Sequence, residues 1–106
     1  MPDQTATFRL RLFEPHEGST FELESAESDP VTMVLEEVSD TTPTGFEGEQ
    51  FSLVFRGPHE PALTQRIYTL NHDALGSIEL FLVPIGAPKD GRLYEAYFNL
   101  TSPEED

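Results

Sequence analysis

FSLVFRGP at residues 51–58, QRIYTLNHDALGSIELFLVPIG at 65–86 and RLYEAYFNL at 92–100 decide the fold. In the first, Phe51, Leu53 and Phe55 fall on one face of an extended chain. In the last, Tyr94, Ala96 and Phe98 oppose Glu95, Tyr97 and Asn99. The middle stretch holds a strand at 65–71, a turn at 73–76 and the most apolar run of the chain, SIELFLVPI, at 77–85. Phe81, Leu82 and Val83 are consecutive there, which predicts a strand covered on both faces, with Pro84 at its end or at a sheet edge. The loop GAPKDG, 86–91, ends in Asp90-Gly91, a hairpin signal. Pro58, Pro61 and Gly57 exclude a strand or helix interior at 57–61.

Outward from this block the alternation continues. VTMVLEEV, 31–38, reads as a strand with Val31, Met33 and Leu35 on one face. Leu35, Val38 and the Glu36-Glu37 pair also suit a short helix, but the run is short and its neighbours are strands. Residues 39–49 form a polar loop, and Phe46 within it either tucks back onto the core or anchors a partner. Residues 7–13 and 20–25 read as a first hairpin around the turn PHEGS, 15–19. Phe8, Leu10, Leu12, Phe21 and Leu23 face inward, which sets Arg9 and Arg11 opposite Glu22 and Glu24. Such cross-strand charge pairs contribute about 0.2–1 kcal/mol each and specify register more than stability. The expectation is an all-β fold: a small antiparallel β-barrel or β-sandwich of about seven short strands. It forms one domain over 1–106, with 1–6 and 101–106 loose.

Charge bounds the function. Twenty Asp and Glu face six Lys and Arg, for a net charge of −14. That field repels phosphate backbones and anionic membranes, so neither nucleic acid nor a membrane surface is an expected partner. It favours cations and basic proteins. Cysteine is absent, which excludes disulfides and thiolate chemistry. The N-terminal MPDQTATF lacks the basic and apolar regions of a secretory signal, and the expected compartment is the cytoplasm.

The combination of residues 51–58, 65–72, Leu75-Gly76, 79–86 and 94–99 resembles a family of small bacterial domains of unknown function, numbered 6916. The resemblance covers roughly the second half of the chain, and the first hairpin fits it in outline. It carries over no catalytic residue. It implies gene neighbourhoods shared with phage-tail-like or tail-collar fibre proteins, and by that context an accessory part in such an assembly. The heavy acidity departs from the family pattern.

The motifs for chemistry are weak. His16-Glu17, His59-Glu60 and His72-Asp73 are three His–acid pairs in turns, but their spacing matches no metal-ligand motif. The acidic stretches 22–29 and 36–40 lack EF-hand spacing. Ser77 lies near His72 and Asp73 in sequence, yet a triad is made by geometry. The scattered glycines build no phosphate cradle. The expectation is therefore a non-catalytic protein-interaction or assembly domain with no cofactor, no metal and no catalytic residue. Its partner is a protein, basic or a fibre- or tail-like subunit. Candidate partner-binding residues are Phe46, Arg56 and Tyr97. Arg56 either pairs with a carboxylate to fix a turn or meets one on a partner. Tyr97 shares its face with Glu95 and Asn99. The alternative is a small-ligand or metal-binding β-barrel, with an enzyme third. A cavity lined by convergent polar groups favours the alternatives, and an exposed edge with an apolar patch favours interaction.

Overall fold

The computed structural model describes residues 9–25 and 29–101. Among them are one short helix, α1 (Leu10–Phe13), a 3₁₀ turn (Glu14–His16) and six strands. The strands are β1 (Thr20–Leu23), β2 (Val31–Asp40), β3 (Gly48–Gly57), β4 (Arg66–His72), β5 (Gly76–Gly86) and β6 (Arg92–Thr101). They close into one antiparallel barrel in the order β1-β2-β3-β6-β5-β4. Two meanders, β1-β2-β3 and β4-β5-β6, are joined by β3 against β6 and by β1 against β4. The barrel is thus the outcome, not the sandwich, with six strands rather than seven.

Period-2 alternation sorts side chains between interior and wall. Phe21 and Leu23 of β1, Met33 and Leu35 of β2, and Phe51, Leu53 and Phe55 of β3 are fully buried. Leu70, Ile78, Leu80, Leu82, Tyr94 and Ala96 complete the lining from the other meander. Burying one such Leu or Phe contributes about 1.5–3 kcal/mol, so the packed interior is the main source of stability. The β2 alternation breaks at a bulge between Leu35 and Glu37, where Glu36 has no register partner on β3.

Of the strand expected at 7–13, residues 7 and 8 lie outside the described residues, and the described part is not a strand. Residues 10–13 make one helical turn that stops an end of the barrel with Phe13, which is fully buried. The Phe13 ring lies 6.2 Å from Phe51 and 5.9 Å from Phe98, and those two stack on each other at 4.6 Å. No local side chain caps this turn. The Leu10 N–H instead donates to the Glu49 carboxylate at 3.0 Å, a contact spanning 39 residues. Since 10–13 are helical, Arg9 and Arg11 do not oppose Glu22 and Glu24 across a hairpin, and β1 pairs with β2 and β4. Phe8 and residues 1–6 and 102–106, expected above as a core residue and loose ends, lie outside the described residues. Thr101, expected to be loose, is the last residue of β6.

Two further expectations for β5 are corrected. Pro84 does not end the strand; it pairs with Tyr94 beside a register irregularity that runs to Gly86. A proline is tolerated there because a bulge has already interrupted the ladder. The run 81–83 is not covered on both faces. Leu82 is buried, whereas Phe81 points out of the wall and is 49% exposed. A barrel has an outside, and no second layer covers Phe81 among the described residues.

Candidate functional site

The outer wall at β4 and β5 is unusually apolar. Ile67 is 62% exposed, Phe81 49% and Ile85 47%. Ile67 and Phe81 are direct register partners across β4 and β5. Large apolar side chains adjacent on a solvated face make a patch rather than a scatter. Glu79, which pairs with Thr69, is exposed on this wall. The sequence expectation missed these residues. The signal was available: once Ile78, Leu80 and Leu82 face inward, Phe81, Val83 and Ile85 must face outward.

The three candidate residues from sequence are spread along β3 and its neighbours, and the structure does not converge them. Phe46 sits in the β2–β3 loop, half-buried, and is not among the side chains packed on the core. Arg56 is at the opposite end of β3, roughly 30 Å of strand away. Tyr97 lies between them on β6, opposite Ser52 and 55% exposed. Its hydroxyl donates to Gln50 Oε1 at 3.1 Å.

Arg56 is held within the chain. Its Nε and Nη2 donate to the two Glu36 oxygens at 2.6 and 2.7 Å, and Nη1 donates to Asp90. Its hydrogen bond to Glu36 and the nearby Asp90 charge raise the guanidinium pKa further above its ordinary value. The arginine ties the β2 bulge to the β5–β6 turn, the carboxylate-pairing role named above.

The histidines divide. His59 Nε2 meets the Lys89 carbonyl at 2.6 Å. His16 and His72 come together edge to face, with ring centroids 4.6 Å apart, and His72 also lies 4.5 Å from the Phe21 ring. His72 Nδ1 accepts from the Ala74 and Leu75 N–H groups at 3.0 and 3.2 Å. The proton is therefore on Nε2, which donates to Ser19 Oγ at 3.0 Å. Ser19 Oγ in turn donates to the His16 carbonyl at 2.6 Å. This polarity is the reverse of an activated nucleophile, in which the serine donates to the imidazole. Both His72 nitrogens are committed to neighbours, so the ring ties the β4–β5 turn to the segment entering β1. Ser77 bonds to Asn71 rather than to His72. Among the described residues, no group of three or more His, Asp or Glu side chains converges to hold a metal ion.

Burial and, to a lesser degree, His16 lower the His72 pKa, while Asp73 opposes them. The unfolded chain therefore binds a proton that the folded chain resists. The stability this site contributes is complete above the unfolded value near 6.5 and declines as pH falls from there toward the folded value. His72→Asn keeps an acceptor for the two turn N–H groups without titrating in this range. Urea unfolding from pH 7.5 to 5.5, about the histidine range, is expected to show a flatter pH dependence in the variant. An identical slope removes His72 from the account.

The acidic stretch 36–40 belongs to β2 and not to a loop. Asp40 accepts from the Thr42 N–H at 3.0 Å, and that bond lowers its pKa. In the stretch 22–29, Glu22 accepts from Thr32 and Glu24 from Asn71, while 26–28 lie outside the described residues.

Two depressions open on the surface. One, of about 640 Å³, lies where β1 and β4 diverge, and is lined by Leu23, Glu24, Leu63, Ile67 and Tyr68 among others. The other, of about 610 Å³, surrounds Arg56, Pro58 and Asp90. No helix among the described residues is long and apolar enough to cross a membrane. No curated protein and no solved structure matches the chain. A family model matches residues 8–98, so the likeness extends over most of the chain and is not confined to its second half. On that match the chain belongs to the family described as a domain of unknown function, DUF6916.

Proposed function

We propose that this is a non-catalytic protein-interaction domain whose docking face is the apolar outer wall at β4 and β5. The observation that carries the reading is the adjacent, exposed pair Ile67 and Phe81, with Ile85 beyond it. An unpaired apolar patch on a barrel is a partner surface in waiting. The fully packed interior disfavours a ligand carrier, since Phe, Leu, Met and Tyr side chains fill the space a ligand would need. The reversed polarity at Ser19 and His72 disfavours acyl chemistry there.

Within this class, an accessory role in a phage-tail-like or fibre-like bacterial assembly is the reading the family resemblance favours. The net charge of −14 points to a basic partner. The test is co-purification from the native host with tagged wild type and with the Ile67→Ser/Phe81→Ser variant, each checked for folding by circular dichroism. The expected result is a stoichiometric partner retained by wild type and lost by the variant. A partner retained by both moves the interface elsewhere, and a wild type that stays a lone monomer overturns the reading.

A further inference from the structure

β5 carries three apolar residues along its outer side, Phe81, Val83 and Ile85. Ile67 of β4 stands directly across from Phe81. Phe81, Ile85 and Ile67 are exposed, and Val83 is half-buried. Residues four apart on a strand are about 13 Å apart, so this strip is about 13 Å long. The main chain beneath it is engaged. Phe81 and Leu82 pair with β4, while Val83, Pro84 and Gly86 pair with β6. A partner therefore meets a face of side chains here, not a strand edge.

Beside the strip lies a carboxylate with no counter-charge. Glu95 of β6 is set between two valines, Val83 on β5 and Val54 on β3, and is half-buried. Glu79 lies two residues before Phe81 on the same outer side and is exposed. Among the described residues neither carboxylate makes a hydrogen bond or an ion pair. Glu36 and Asp90, by contrast, both receive Arg56. Covering the strip would strip water from Glu95, which is unfavourable unless the partner brings a cation to it.

We propose that this strip seats a basic, amphipathic α-helix of a partner protein, laid along β5, with a lysine or arginine on its flank paired to Glu95. The proposal rests on the interaction reading above and names the form of the partner. The dimensions carry it. A helix is about 10 Å across, which matches the width of two neighbouring strands. Apolar residues at i and i+4 of a helix lie about 6 Å apart along its axis, close to the roughly 6.6 Å between alternate residues of β5. Successive turns of one apolar stripe can thus rest on Phe81, Val83 and Ile85, with Ile67 widening the seat at the Phe81 end. Glu95 is one strand over from Val83, about 5 Å. A lysine or arginine on that flank lays its stem on Val83 and sets its head at the carboxylate. This is recognition by helical anchors rather than by main-chain bonds. The occupant is not a second copy, which would bring its own Glu79 and Glu95 to the contact, and two chains of −14 repel.

The probe is a capped peptide of four helical turns, with leucines at helical spacing on one face and lysines elsewhere. Its control has the same composition reordered so that leucine and lysine alternate. Binding is followed by fluorescence anisotropy, circular dichroism and amide shifts of the labelled protein. The helix-patterned peptide is expected to bind, to gain helicity on the protein and to move the Phe81, Val83 and Ile85 amides. The alternating peptide, of equal charge, is expected to bind about tenfold more weakly or worse. Phe81→Ser is expected to weaken the helix-patterned peptide by about tenfold, the loss of a central anchor. Glu95→Gln keeps the shape of the side chain. It is expected to weaken binding by about fivefold and to flatten its salt dependence. This second variant does not depend on how the serine variant folds. Equal binding of the two peptides, binding without gained helicity, equal binding by Glu95→Gln and wild type, or no binding below about 1 mM overturns the proposal. A dimer in light scattering that Phe81→Ser disperses assigns the strip to a second copy and also overturns it. Loss of the native partner in the serine variant above would in each case leave the apolar-face reading standing.

Discussion

Phe51→Ala lowers the unfolding free energy by about 3–5 kcal/mol, a large share of the roughly 5–15 kcal/mol that holds a domain of this size together. Phe51 is fully buried, stacks on Phe98 at 4.6 Å and lies 6.2 Å from Phe13. Removing the ring therefore does two things. It leaves a cavity in the β3 wall of the core, and it strips Phe13 of a ring that holds α1 over the barrel end. The control is Phe46→Ala, the same truncation in a half-buried loop position, for which a change within about 1 kcal/mol is expected. Urea unfolding of the three proteins checks this. A loss under 1 kcal/mol for Phe51→Ala, by the same scale, means the three rings are not packed as described.

The second large effect comes from a residue with no side chain. Gly91→Ala is expected to cost about 2–4 kcal/mol, combining backbone strain with a steric clash. Gly91 has φ +152, and a Cβ there would stand 2.5 Å from the Gly57 carbonyl oxygen and 3.1 Å from the Arg56 stem. The carbonyl belongs to the end of β3, where Gly57 pairs with Arg92, and cannot swing aside as a flexible side chain does. Relief requires the β5–β6 turn to lift, which parts Asp90 from Arg56. Gly86→Ala is the control: a Cβ at Gly86 meets nothing within 4 Å. Thermal unfolding is expected to show a clear drop for Gly91→Ala and almost none for Gly86→Ala. Equal effects would place the cost in glycine composition and not in this contact.

Much of the candidate site was readable, but only after one choice of phase. The alternation of Ile78, Leu80 and Leu82 settles that Phe81 and Ile85 point outward. Reading the unbroken apolar run as a strand covered on both sides hid this, because hydrophobicity alone does not say whether a second layer exists. Arg56 was readable as a residue that pairs with carboxylates, yet not which ones. Glu36 is 20 residues away and Asp90 34, and a bulge in β2 and a turn after β5 bring them to it. His16 and His72 are likewise strangers in sequence, joined because β1 and β4 close the barrel.

The sequence by itself determined the strands β1 to β6, the inward faces of β1, β2, β3 and β6, and the Asp90-Gly91 turn. These depend on period-2 burial and on turn chemistry, which are local properties. The tertiary structure decided the rest. Residues 10–13 alternate like a strand, yet they are a helical turn because the barrel offers Phe13 a site beside Phe51 and Phe98, and Glu49 offers Leu10 a cap. Closure of the barrel through β1 and β4 joins two strands that meet only after the chain has folded. Such contacts are long-range, and a one-dimensional pattern holds no record of which distant segment supplies the partner.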